Sequence, residues 1–322
     1  MNGIAGTKIL ITGGAGFIGS HTADQLLMEN VNEIIIIDDF IRGSRENVAE
    51  AMKSGKVKLI KGDIRDEVLL DDLFGGIDYC FHMAAFRINQ CVAEPRAAFE
   101  VMFGGTFNVA EACIKHKVKK IVVASSASIY GTAEKFPTDE KHHPYNNHTL
   151  YGGAKIANEC IFRAFYDMYG LGYNAMRYFN VYGPRMDIFG KYTEVLIRWY
   201  QMIRQNSQPL IFGDGKQSMD FISVEDIARA NLLALTSPVN DEAFNVACGV
   251  ETTLEELCRT LLEVMNSNLK PKYVPLPEER KNVEVTRRLA DTSKAAALIG
   301  FRANITLREG LRGLVQWLDS RL

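Results

Sequence analysis

The stretch Thr12-Gly13-Gly14-Ala15-Gly16-Phe17-Ile18-Gly19 restricts what this chain can fold into more than any other segment. Before it, Lys8–Thr12 is an apolar run of strand length. After it, Phe17 to about Met28 carries helical periodicity. A strand feeding a helix through spaced glycines is the context in which a backbone loop binds a dinucleotide. Gly13 permits the tight turn, Gly16 lets the backbone approach a pyrophosphate, and Gly19 lets helix and strand pack closely. The helix start adds unpaired N–H groups and partial positive charge for the phosphates. An unliganded strand–helix turn is the plainer alternative, but three spaced glycines each lower local stability relative to alanine.

The same alternation continues downstream. Ile34–Ile37, Val57–Ile60, Asp78–Met83 and Lys120–Ala124 read as buried strands, with helical patterns around 96–116 and 151–169. Short, continuously apolar strands between amphipathic helices predict a parallel sheet covered on both faces. Right-handed crossovers then make it an α/β, doubly wound (Rossmann) sheet. Helical patterns at 193–205, 224–235, 253–265 and 306–320 dominate the second half, and Pro271–Pro277 reads as a loop. This predicts a smaller, mostly helical C-terminal domain. Residues 1–179 with about 222–247 would form the cofactor domain, and 180–221 with 248–322 the substrate domain.

Charge narrows the partners. Against 37 Lys+Arg stand 39 Asp+Glu, a formal net charge of −2, which gives no bulk attraction for nucleic acid. No stretch approaches the roughly 20 apolar residues of a membrane span. The N-terminus has no secretion-signal pattern, and the six cysteines lie far apart without a Cys-x-x-Cys pair, so reduced thiols in a cytoplasmic protein are expected. The histidines lack metal-ligand spacing, so no metal is expected.

Asp38 ends the second strand, 19 residues after Gly19. Its carboxylate can accept both ribose hydroxyls of an adenosine and would repel the extra phosphate of NADP, which predicts NAD. Arg42 and Arg45 just beyond could soften that preference, and Asp39 reads as a loop-capping acid. Asp63, in Gly62-Asp63-Ile64, can accept from the adenine amino group or serve as an ordinary turn residue.

The chemistry is carried by Tyr151-Gly152-Gly153-Ala154-Lys155. Residues four apart on a helix share a face. At about 4 Å and an effective dielectric near 20, the ammonium attracts a phenolate by at most about 4 kcal/mol, so a fall of two or three units in the phenol pKa is expected. That would bring Tyr151 toward the ~7 of a general base. By itself such a pair is more often an amphipathic helix face; the glycine loop gives it weight. Ser125-Ser126-Ala127-Ser128 follows a predicted strand, at the edge where open α/β sheets bind ligands, so a serine hydroxyl there can relay a substrate proton to Tyr151.

Together these motifs resemble the extended short-chain dehydrogenase/reductase family, in its NAD-dependent nucleotide-sugar epimerase/dehydratase branch and especially the UDP-sugar 4-epimerases. The likeness runs from Lys8 to about Leu314. It includes His82-Met83-Ala84-Ala85, Arg177–Pro184, Ile211–Gly215 and Ala290–Ala295. The resemblance implies that Tyr151, assisted by Ser126, takes the proton of the sugar 4-hydroxyl while the C4 hydride passes to NAD. The 4-keto sugar then turns over and receives the hydride on its other face. It implies that Lys155 also holds the nicotinamide ribose, and adds Phe17, Ile18, Ile64, Ala84, Ala85, Arg87 and Tyr178 to the cofactor site. Asn180 would contact the sugar phosphate, Leu210 and Phe212 the base, and Lys281, next to Arg280, the diphosphate. A homodimer paired through helices 96–116 and 151–169 is also implied.

The chain departs from the family pattern in places. Met219 stands for a usual Arg, Met102 for a usual Asn, Lys281 for a usual Arg, and Met186–Glu194 differs from typical epimerase loops. The 4,6-dehydratases carry Asp-Glu directly after the matching Ser/Thr, and the decarboxylases usually have Glu at the second of those positions. Here Ala127-Ser128 follow Ser126, which leaves redox at C4 alone and favours epimerisation of a UDP-glucose, UDP-N-acetylglucosamine or UDP-glucuronate type of substrate. A C4 dehydrogenase/reductase, a 4,6-dehydratase and a non-catalytic NAD-binding regulator are the alternatives.

Overall fold

The computed structural model describes residues 3–188, 194–276 and 285–322. Lys281 and Arg280 lie outside the described residues. Seven strands form one sheet: β1 (Lys8–Thr12), β2 (Glu33–Asp38), β3 (Val57–Lys61), β4 (Tyr79–His82), β5 (Lys120–Ser126), β6 (Gly172–Tyr178) and, from much later in the chain, Glu242–Val246. In space β3, β2, β1, β4, β5 and β6 follow one another, with Glu242–Val246 outside β6, and every pairing is parallel. Both faces are covered. Ile9, Ile11, Phe81 and Val122 pack into one apolar layer, Leu10, Cys80, Ile121 and Val123 into the other, and all are fully buried. Burial on both sides is why these strands read as unbroken apolar runs.

The chain winds from β1 to β3 in one direction, then returns to lay β4 against the other side of β1. At that reversal the loops leaving β1 and β4 part, and a crevice opens at their carboxyl ends. The loops still touch at their base: a Cβ on Gly13 would lie 2.7 Å from Ala84 N.

Beyond β6 helices predominate, as expected, and short strands join them. β7 (Asn180–Tyr182), β8 (Leu210–Phe212), β9 (Ser218–Ser223), β10 (Glu242–Val246, the seventh strand above), β11 (Glu251–Thr253) and β12 (Lys272–Val274) alternate with the helices. Apart from β10 they form two small sheets, β11-β9-β7 and β12-β8. The predicted loop at Pro271–Pro277 therefore contains a strand, with Lys272 opposite Leu210. Three-residue strands are too short for alternation to register; long-range pairing makes them. Leu196, Ile197, Trp199, Leu257, Leu261, Leu311 and Leu314 supply this part's core.

The helical pattern at 96–116 is also broken. An α-helix Pro95–Phe99 passes through a π-turn, Glu100–Gly105, into the α-helix Thr106–Lys115. A Cβ on Gly105 would lie 2.6 Å from the Ile64 side chain, so the glycine allows the widened turn to press against the loop after β3.

Candidate active site

The crevice is a cleft of about 680 Å³, within the range of small-molecule sites. Its walls include Gly13, Gly16, Phe17, Ile18 and Gly19 from the glycine loop, and Asp38, Asp63 and Ile64 from the ends of β2 and β3. Ala84, Ala85 and Arg87 follow β4, and Tyr151, Lys155 and Tyr178 close the far end. Ser126, Asn180, Leu210 and Phe212 are not among the lining residues.

The donor set suits a dinucleotide. Gly16 caps the helix Phe17–Leu27 without a side-chain acceptor, so the first N–H groups of that helix remain available to a phosphate. A Cβ on Gly16 would meet only Gly13 O, at 3.1 Å, whereas one on Gly19 would strike it at 2.5 Å. Gly19 thus serves the folding of the loop itself. Asp38 is buried; one oxygen accepts from Ala15 N at 3.0 Å, the other from Phe40 N at 2.9 Å. Gly16 N–H pulls on the carboxylate as well, and the side chain lines the cleft. Burial raises its pKa, against the pull of these backbone bonds. Asp63 is forked by Arg65, whose hydrogen bonds hold its carboxyl low, with Nη2 at 2.6 Å. Asp39 accepts from Ile41 N, as a loop cap does. Arg42 lines the cleft but is paired with Asp187 at 2.8 Å.

The helix Leu150–Tyr169 positions Tyr151 and Lys155. Thr149 caps it by accepting from Gly152 N at 3.0 Å. Asn147 donates to Ser128 O at 2.6 Å and accepts from Thr149 N at 2.9 Å, stitching the turn after β5 to the helix start. Ser126 Oγ accepts from Ser128 N at 3.1 Å and lies close enough to Tyr151 to pull its pKa down. Behind them, Ser125 donates to Glu159 at 2.5 Å, and Glu159 receives Arg177 at 2.9 and 2.6 Å. This buried ion pair locks strand to helix.

One electrostatic expectation is overturned. Lys155 does not bring the phenol below its ordinary value. Its buried ammonium donates to Ala124 O at 2.6 Å and stands 5.8 Å from the Tyr151 ring centre. Burial pushes Tyr151 above its ordinary value; Ser126, Arg87 and Arg288 pull the other way and do not win. Burial also lowers Lys155 to about 8. Behind the cleft His82 bridges Thr12 and Thr106, and burial lowers it to about 3, so it stays neutral.

Asn180, on β7, has a buried side-chain oxygen with no partner. Leu210 and Phe212 border β8, where Leu210 O accepts from Trp199. Met102 points into the core, 3.6 Å from Cys91 sulfur, rather than into the cleft. Two arginines escape sequence reasoning. Arg185 lines the cleft with a positive φ of 67°, holds Asp24 at 2.7 Å and leaves Nη1 buried without a partner. Arg288 faces Tyr151 from another segment. Only Arg185 carried a signal, its place directly after Tyr182-Gly183-Pro184.

Comparison with known proteins matches residues 9–247 to the NAD dependent epimerase/dehydratase family. A putative UDP-glucose 4-epimerase of Methanocaldococcus jannaschii is 35% identical over 97% of this chain and 98% of its own. A UDP-N-acetyl-alpha-D-glucosaminuronate decarboxylase of Bacillus cytotoxicus is 30% identical over 96% and 97%. Among solved structures, the UDP-N-acetylglucosamine 4-epimerase of Methanobrevibacter ruminantium M1, in complex with UDP-N-acetylmuramic acid, superposes with a TM-score of 0.92 at 32% identity, covering 99% of this chain and 100% of that one. Aligned over nearly its whole length at such identity, and matched by the family's own model, the chain belongs to the NAD-dependent epimerase/dehydratase family.

Proposed function

We propose that this chain epimerises a UDP-linked hexose at C4. The observation that carries the reading is Tyr151 and Lys155 lining the far end of a dinucleotide cleft, with Ser126 close enough to pull on the phenol. NAD, when bound, supplies a reversible hydride acceptor whose oxidised ring is positive. Tyr151 Oη takes the proton of the 4-hydroxyl, and Ser126 Oγ orients that hydroxyl and passes the proton on. Lys155 places a cation under the phenol and holds the nicotinamide ribose. Asp38 accepts the adenosine ribose hydroxyls, and Asp63 the adenine amino group. Asn180, Leu210, Phe212 and Lys281 are proposed to contact the nucleotide sugar. On this division residues 1–179 with about 222–247 hold NAD, and 180–221 with 248–322 hold the substrate.

Epimerisation is preferred to dehydration because Ala127 and Ser128, next to Ser126, are both buried and offer neither acid nor base for removing water across C5 and C6. The relatives include a decarboxylase as well as epimerases, so the test must tell them apart. Incubation with UDP-glucose, UDP-N-acetylglucosamine and UDP-glucuronate, followed by NMR, is expected to show a 4-epimer of one of them without added NAD. A 4-keto-6-deoxy sugar or a pentose product would sink the reading.

A further inference from the structure

Thr286–Arg288 runs beside β9: Ser218 N donates to Thr286 O at 3.0 Å and Arg288 N to Ser218 O at 2.9 Å. Extended backbone sends neighbouring side chains to opposite sides. Arg287 turns outward, forks onto Glu251 at 2.7 and 2.8 Å and covers the Phe136 ring at 4.5 Å. Arg288 turns inward. Its Nε is buried with no hydrogen-bond partner, and among the described residues its charge is felt by Tyr151 and by no carboxylate. Burial lowers even this guanidinium. The side chain as a whole is part-buried, and a guanidinium with a buried, unpaired nitrogen in a native fold asks for a ligand.

We propose that Arg288 is a specificity residue whose guanidinium receives a carboxylate carried on the sugar beside C4, which makes the preferred substrate class a nucleotide-linked hexuronate rather than a neutral hexose. The proposal rests on the C4 reading above. Tyr151 must meet the 4-hydroxyl, and a guanidinium near enough for its charge to act on Tyr151 lies toward that end of the ring. The carboxyl carbon of a uronate is attached to C5, next to C4; the diphosphate is attached to C1, across the ring. A planar guanidinium matches a carboxylate with two parallel hydrogen bonds, whereas a neutral hydroxymethyl group leaves the cation uncompensated.

The test uses NAD-loaded protein carrying Tyr151→Phe, so that nothing turns over, and titration calorimetry with UDP-glucuronate, UDP-glucose and UDP. UDP-glucuronate is expected to bind about tenfold or more tighter than UDP-glucose. Adding Arg288→Met should weaken UDP-glucuronate by about 30-fold or more and the other two by less than about threefold. Arg288→Lys should recover part of the loss, because the charge remains and the fork does not. The ligand-free Arg288→Met protein should melt no lower than its parent, since an uncompensated cation has been removed. Equal weakening of all three ligands would place the guanidinium on the diphosphate and overturn the proposal, as would no weakening of any. Uronate binding that depends on Arg288, without 4-epimer formation by the protein with Tyr151 intact, would defeat the C4 reading and leave this one standing. No binding of any nucleotide sugar would defeat both.

Discussion

As the proposed base, Tyr151 is held a weaker acid than free tyrosine, because burial outweighs the pull of Ser126 and of two nearby guanidiniums. The positive charge that opposes this comes with the oxidised ring of the cofactor, so proton transfer is restrained until NAD is bound. Tyr151→Phe is expected to lower kcat by at least about 10³-fold while bound NAD is retained, read by turnover and by the absorbance of released cofactor. Activity persisting in that variant would remove Tyr151 from its role. Lys155 makes a separate prediction. The unfolded chain keeps its lysine proton up to the ordinary 10.5, while the folded chain gives it up at about 8. Between those values the unfolded state binds more protons, so this residue makes stability rise with pH, by about 3 kcal/mol in all. Urea unfolding at pH 8 and pH 10 should show that slope in the parent and lose it in Lys155→Met.

At the scale of elements, the decisive joint is where the turn after β5 meets the helix Leu150–Tyr169. A Cβ on Gly152 would lie 2.0 Å from the Asn147 amide nitrogen, the group that ties Ser128 to the helix cap. Gly152→Ala should therefore cost about 1–3 kcal/mol and, by shifting Ser126 against Tyr151, lower kcat by about 10²-fold. Gly153 has nothing within 4 Å of its missing Cβ. Gly153→Ala should raise stability by up to about 1 kcal/mol in the same unfolding assay. Opposite signs at adjacent glycines separate a packing requirement from helix propensity. The π-turn at Glu100–Gly105 shows the limit of periodicity at this scale. The apolar pattern runs on through it, and the close approach of Ile64 to Gly105 belongs to the tertiary structure.

Over the whole molecule, one surface stands apart from the cleft. Phe99, Phe107, Met168 and Tyr169 are all more than 40% exposed, on the outer faces of the helices that flank β4 and β5. Phe107, Phe165 and Tyr169 meet edge to face in sequence, with ring centres 5.5 and 5.3 Å apart. A contiguous apolar patch of this kind supports the proposed homodimer, formed by pairing those helices about a two-fold axis. Light scattering should give twice the chain mass for the parent and the chain mass for Phe107→Glu. A monomeric parent would end that proposal.

What the amino-acid order determined is local. Glycine spacing, apolar runs of strand length and helical periodicity are written into neighbouring residues, so the doubly wound sheet, the dinucleotide loop and the Tyr151–Lys155 pairing are legible without coordinates. The small sheets of the second half, the inward turn of Arg288 and the sign of the Tyr151 shift depend on segments far apart in sequence coming together. Burial and electric field belong to that assembly rather than to any residue in it. A phenol beside a lysine looks acidic on paper, and it is the low-polarity enclosure, built by the whole chain, that makes it otherwise.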